Sequence, residues 1–325
     1  MHQPATEVGI SVVICAYADH RWPQLQEAVE SVRGQSRPAL ETIVVIDHNP
    51  ALLERARREL AGAAVIENQE PRGLSGARNS GLRIARGAVV AFLDDDAVAE
   101  PDWLTWLAAP YAEPQVLGVG GAIEPRWMSP RPAGFPAEFQ WVVGCSYEGM
   151  PTRRAPVRNL IGANMSMRRE VFELAGDFRT GIGRVGPVPL GCEETELCIR
   201  ARRRRQDGVF LYEPRSRVAH LVPDGRATFG YFCSRCFAEG ISKALVSSST
   251  GPGDALASER EYVRRTLPAG VARGVADARR GDPWGLVRAA AIVAGLVLTT
   301  FGYLAGGVVL ATRRLRRRHQ PGAPP

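Results

Sequence analysis

Lysine is all but missing from this chain: 40 of its 41 basic side chains are arginine, and Lys243 is the one exception. That excludes a phosphate-binding G-x-x-x-x-G-K-[ST] loop, because Lys243 follows Gly240, Ile241 and Ser242 in a different arrangement. No G-x-G-x-x-G follows the first apolar run, so a dinucleotide fingerprint is excluded as well. No export leader is expected either. Residues 1–9 hold no basic cluster, and the apolar run over residues 10–16 is too short for a signal-peptide core. The six scattered cysteines are therefore expected to be reduced and cytosolic. Cys233 and Cys236 form a C-x-x-C with no second pair, which excludes a four-cysteine zinc site. Positive charge is scarce outside one place. Five arginines (Arg313, Arg314, Arg316, Arg317, Arg318) sit in the last thirteen residues, and without them the net charge of +7 falls to +2 over residues 1–312. A nearly neutral body makes nucleic acid a minor hypothesis, and no nucleic-acid partner is expected.

What is present is the composition of an ordered globular protein: 325 residues, 45% hydrophobic and 23% charged. That length fits one large domain with an appendage. Val12, Val13, Ile14 and Cys15 form an apolar run, and Trp22, Leu25, Val29 and Val32 then repeat at helical spacing. Residues 42–46, 64–67 and 89–93 read as further strands, and residues 50–60 and 75–85 as helices. Apolar strands alternating with helices predict an α/β fold whose parallel sheet is covered on both faces. Ligands of such sheets bind beyond the carboxyl ends of the strands. The residues there are acidic: Asp47 follows the second strand, and Asp94, Asp95 and Asp96 follow the fourth. Adjacent carboxylates repel, and a cation among them relieves the repulsion. In an extended segment Asp94 and Asp96 point to one side, which suits Mg²⁺ or Mn²⁺ holding a diphosphate; a solvated turn would accept the same residues. Residues 70–79 form a glycine-punctuated turn into a helix, with Arg72 and Arg78 available to phosphate.

The segments 11–17, 45–47, 76–81, 92–96 and 101–104, followed by 162–169, 176–178, 193–197 and 218–220, resemble the family 2 glycosyltransferases in order and spacing. The resemblance covers about residues 9–245 and implies a GT-A fold with a mainly parallel central sheet. It also implies inverting transfer from a nucleotide-diphosphate sugar donor to a hydroxyl acceptor. Carried over residue by residue, Ala16, Tyr17, Asp47, Arg78, Asp94 and Asp95 would bind the donor, with Asp47 at the base and Arg78 and Asp94 at the nucleoside and diphosphate. Asp96, Asp94 and His220 would hold the metal, and Asn164 would lie on the acceptor side. The family's general base falls on Glu194, with Glu193 the alternative because this chain has Glu-Glu where the family has Glu-Asp. Such a reaction needs charge stabilised on the leaving phosphate and a proton taken from the attacking hydroxyl, tasks for a cation and a carboxylate. Residues 193–196 would serve equally as first-turn helix capping.

Arg202 to Arg205 read as solvated cations at a helix C-terminus. No tryptophan follows them, so the Gln-x-x-Arg-Trp motif of processive family members is lacking and single sugar additions are expected. The expected organisation is a catalytic domain over 9–245, a linker with surface helices over 246–285, a membrane-associated segment over 286–312, and a disordered basic tail over 313–325. Residues 289–312 carry no charge, which suits either a bilayer span or a helix in the interface, and Gly295, Gly302 and Gly306 offer a small-residue packing face. Arginines flank the segment on both sides. Because nucleotide sugars are cytosolic, the catalytic domain is expected on the cytoplasmic side of the inner or plasma membrane. A lipid-linked acceptor in cell-envelope or polysaccharide biosynthesis follows, with Trp127, Trp141 and Tyr147 as sugar-stacking candidates. Two rivals stand beside this reading: an aspartyl-type phosphohydrolase using Asp94 as nucleophile, and a non-catalytic membrane scaffold.

Overall fold

In the computed structural model, which describes residues 8–183, 190–251 and 257–318, the apolar runs join one nine-stranded sheet. Strands β1 (Ile10–Ala16), β2 (Glu41–Ile46), β3 (Ala64–Glu67) and β4 (Val89–Asp94) pair in parallel in the order β3-β2-β1-β4. Ile14 lies opposite Val44 on one side and Leu93 on the other. The expected parallel sheet is thus present, and the reason for its continuous apolar strands is visible. Val12 and Ile14 pack with Trp22 and Leu25 of α1 (Trp22–Arg33) and Leu52 of α2 (Pro50–Glu59). Val13 and Val45 pack on the opposite face with Leu82 of α3 (Leu74–Ile84). The central strands β1 and β4 are buried on both sides, which is why they read as nearly continuous apolar runs.

The sheet continues with β8 (Asn164–Arg168), β6 (Val116–Trp127), β9 (Val209–Val222) and β5 (Ala97–Ala99), with β7 (Ala155–Val157) on β9. β8 is antiparallel to both β4 and β6, so the whole is a mixed, mostly parallel sheet. Helices α4 (Trp103–Ala108), α5 (Arg169–Ala175) and α6 (Glu193–Arg204) complete this half.

Helix α7 (Phe229–Thr250) starts at Thr228, whose Oγ1 accepts the Tyr231 N–H at 3.2 Å, and runs through the boundary expected at residue 245. A helical stretch over Ala257–Glu261 and Tyr262–Thr266 leads into α8 (Leu267–Arg279) and then α9 (Trp284–Arg318). Residues Trp284–Thr312 are long and apolar enough to cross a membrane. One face of α9 is pressed against α7: a Cβ on Gly240 would meet Thr299 O at 2.1 Å, and one on Gly302 would meet Phe237 O at 2.0 Å. The glycine face is therefore filled from within the chain, by Phe139 at Gly295, Phe237 at Gly302, and Ile241 with Ala244 at Gly306. The opposite face leaves Leu286, Val293, Val297, Phe301, Leu304 and Val308 exposed. Helix runs to Arg318 where a basic tail was expected from 313, and residues 319–325 of that tail and 252–256 of the expected linker lie outside the described residues.

Candidate active site

β4 ends at Asp94, and the turn that follows holds Asp95 and Asp96 before β5. Asp96 is buried, and its Oδ1 lies 3.0 Å from Nε2 of His220, which β9 brings opposite Ala97. Its Oδ2 lies 2.9 Å from Arg21 and 3.6 Å from Arg226. Arg21 also donates to Asp95 Oδ1 at 2.6 Å, while the buried Asp95 Oδ2 has no hydrogen-bond partner among the described residues. Ligand atoms of Asp94, Asp96 and His220 all lie within 4.8 Å of one another. Two carboxylates and an imidazole suit a divalent ion.

Burial resists ionisation of Asp96, but His220, Arg21 and Arg226 outweigh it and hold the carboxyl below its usual range. Burial likewise resists charge on His220, and Asp96 overrides it, lifting the imidazole to about 10. Burial pushes Asp95 up to about 7 against the pull of Arg21, with Asp96 and Asp94 adding to the rise. Ligation by His220 would require its Nε2 proton to leave, so metal affinity and pH are linked.

The second wall begins at Cys192, a non-glycine residue held at φ 73° immediately before α6. That left-handed step turns Glu193 and Glu194 into the same cavity as Asp94, Asp96 and His220. Arg78 joins the two walls. Its Nη1 donates to Glu193 Oε1 at 2.6 Å and its Nη2 to Gly162 O at 3.2 Å, and it stands 3.7 Å from Asp94. The guanidinium is buried beside the Phe92 and Phe178 rings, 5.8 and 5.5 Å from their centroids. Glu193 is thus committed to Arg78, whereas among the described residues no cation pairs with Glu194. Burial, then the neighbouring Glu193, raise the Glu194 carboxyl to about 8. A carboxyl so tuned can accept a proton near neutral pH.

Other candidates fall elsewhere. Asp47 uses both oxygens inside the protein: Oδ2 accepts the Gly73 N–H at 2.9 Å and Oδ1 the Asn68 amide at 2.6 Å, which shapes the turn before α3. Ala16 is buried at the end of β1 and Tyr17 exposed beside it. Neither these nor Asp47 line the cavity. Asn164 is fully buried; its amide donates to Ala122 O and Ser216 O and its oxygen accepts from Trp103 Nε1 at 2.7 Å. Trp141 and Tyr147 line the cavity, while Trp127 packs edge-on to Phe135 in the core.

The cavity measures about 950 Å³. Sequence reasoning missed Arg21 and Arg226, although Arg21 lies in the loop after β1, where the strand-end rule would have led. It also missed the charged group on α7 that lines the same cavity, Arg235, Glu239 and Lys243, paired with Arg158 and Glu259.

Comparison with known proteins bears on these residues. A family model described as glycosyl transferase family 2 matches residues 11–175. A glucosyl-dolichyl phosphate glucuronosyltransferase of Haloferax volcanii is 36% identical over 241 residues, which are 73% of this chain and 77% of that protein. The succinoglycan biosynthesis protein ExoM of Rhizobium meliloti is 27% identical over 253 residues, 73% of this chain and 74% of that one. Among solved structures, the mannosyltransferase PcManGT of Pyrobaculum calidifontis, in complex with GDP-Man and Mn²⁺, superposes with a TM-score of 0.56 at 19% identity, over 91% of this chain and 88% of that one. GalNAc-T7 with UDP, GalNAc and Mn²⁺ gives 0.51 at 20% identity over 66% of this chain, which spans only 43% of that longer structure.

Proposed function

Since the chain belongs to glycosyl transferase family 2 and is therefore a glycosyltransferase, of GT-A fold, we propose that it transfers a single sugar, with inversion, from a nucleotide-diphosphate donor to a hydroxyl of a lipid-linked acceptor. The observation that carries this reading is one cavity with a cation-binding trio on one wall and an acidic pair on the other, joined by Arg78. Family membership speaks against the phosphohydrolase rival, and turnover of a nucleotide sugar is what distinguishes a transferase from a scaffold of the same fold.

Asp94, Asp96 and His220 would hold Mn²⁺ or Mg²⁺. A divalent ion so held supplies neutralisation of the charge that develops on the leaving diphosphate. Arg78 fixes Glu193 and leaves Glu194 to take the proton from the acceptor hydroxyl. We assign the donor side of the site to the ends of β1, β2 and β4, with Ala16, Tyr17 and Asp47 shaping the base pocket and Arg78, Asp94 and Asp95 near the phosphates. Asn164 acts on the acceptor side only by holding β8 in place. Trp141 and Tyr147 offer aromatic faces to a sugar.

The transfer chemistry is assigned to residues 9–245 and membrane attachment to residues 286–312, connected by 246–285. Helix α9 is held lengthwise along α7, whose Arg235, Glu239 and Lys243 line the cavity, while its other face is apolar and exposed. That favours a helix lying in the membrane interface over a simple span, with the catalytic body on the cytoplasmic face. An acceptor carried by a lipid, in polysaccharide or cell-envelope biosynthesis, is then within reach. Purified protein incubated with a panel of nucleotide sugars and Mn²⁺ or Mg²⁺ is expected to release nucleoside diphosphate from one of them in a metal-dependent way. Metal-independent release would refute the assignment.

A further inference from the structure

Resting on that reading, we propose that the α7 side of the cavity is a phosphate site for the acceptor, where Arg158, Arg235 and Lys243 take the phosphate that joins the acceptor's sugar to its hydrocarbon chain. Lys243 Nζ lies 2.6 Å from Glu259 and 3.1 Å from Glu239; Arg235 reaches Glu239 at 3.0 Å, and Arg158 reaches Glu259 at 2.5 Å. All five side chains line the cavity that holds the acidic pair. The glutamates keep the three cations in place, which is how a site selective for an anion is preorganised. Arg260 and Arg264 line the same end, so basic side chains there outnumber the acidic Glu239, Glu259 and Glu261.

Position supports the assignment on both sides of the cluster. Toward the chemistry, Cys192 Sγ contacts Glu239 Oε1 at 3.4 Å, and Cys192 directly precedes Glu193. A phosphate on this cluster would therefore leave its sugar facing Glu194. Toward the membrane, Gly240, the neighbour of Glu239, touches the α9 backbone at Thr299 and Tyr303, and Leu296, Thr299 and Tyr303 line the cavity. The cavity thus reaches the helix whose outer face is apolar and exposed, which gives a hydrocarbon chain a way out beside α9 while its phosphate stays on Lys243. A cluster serving only to pin residues 257–266 onto α7 would have no need to line a cavity running from catalytic carboxylates to an apolar helix.

The absence of other lysines supplies the test. Full-length protein in detergent, labelled with ¹³C-lysine, carries one lysine side-chain signal, from Lys243. Farnesyl phosphate is expected to move that signal and to bind at least about tenfold more tightly than farnesol, since charge-assisted hydrogen bonds to phosphate are the strong class. Lys243→Gln should remove most of that difference. Manganese-dependent nucleotide binding by the same variant reads whether it is folded, and the wild-type comparison stands even if it is not. Equal affinity for farnesyl phosphate and farnesol, or lipid binding that leaves the Lys243 signal unmoved, would overturn the proposal. Inorganic phosphate competing as well as farnesyl phosphate would overturn the lipid source. Nucleoside diphosphate release from nucleotide sugars is scored separately, so failure of the transferase reading and failure of the phosphate site are told apart.

Discussion

The two walls of the cavity are built in different ways. The wall with Asp94, Asp95 and Asp96 belongs to a strand end, so its position follows from the parallel sheet. The wall with Glu193 and Glu194 hangs on α6 and is located by Arg78, 115 residues away in sequence. The first wall crowds cations around its carboxylates: Arg21, Arg226 and His220 surround Asp96. The second leaves one carboxyl, Glu194, without an ion pair among the described residues, so burial and then the charge of Glu193 raise its proton affinity. Under the proposed function, the first wall would hold a cation once His220 gives up its proton, and the second would exchange a proton through Glu194.

The sharpest way to break that contrast is to remove the uncompensated group. Glu194→Gln should still bind nucleotide with Mn²⁺ while turnover falls on the order of 10²- to 10⁴-fold, the range for a general base. Near-normal turnover, with the large loss appearing in Glu193→Gln instead, would exchange the two roles. A smaller effect should appear in pH profiles. A base must be deprotonated to act, so turnover should rise with pH through the Glu194 titration near 8 and level off above it. Glu193→Gln removes the adjacent negative charge that raises Glu194 and leaves Arg78 without that ion pair, so the rise should move to lower pH; a profile unmoved by that change would separate Glu194 from the titration. The smallest catalytic effect belongs to Asn164. Asn164→Ala strands the buried Trp103 N–H and should cost stability on the order of 2–3 kcal/mol, visible as a lowered Tm, with the acceptor KM unchanged. A raised KM at unchanged Tm would return Asn164 to the acceptor.

The first wall was legible in sequence because a strand buried on both faces shows as an unbroken apolar run, and the acidic residues at its end stand out against it. The pairing of β1 with β2 and β4, and the placing of Asp94 and Asp96 together, both follow from that pattern. The arginines around it, and the charged group on α7, were not legible. Arg21 lies 74 residues from Asp95, and Arg158 lies 101 residues from Glu259, distances over which no local periodicity speaks. The glycines of α9 were visible as a packing face, but sequence could not name their partner; the close approach of Gly302 to Phe237 places that partner in the same chain. Asn164 sits in a segment that resembles the family, and resemblance alone could not tell a ligand-facing amide from one satisfied within the sheet.

The most direct test of two walls with separate tasks sets Asp96→Asn beside Glu194→Gln and measures Mn²⁺ binding in each, by electron paramagnetic resonance with a nucleoside diphosphate present. The account predicts that Asp96→Asn loses the bound Mn²⁺ signal, while Glu194→Gln keeps it in full and yet turns over little donor. Tight Mn²⁺ binding in Asp96→Asn, or its loss in Glu194→Gln, would contradict the division of the site.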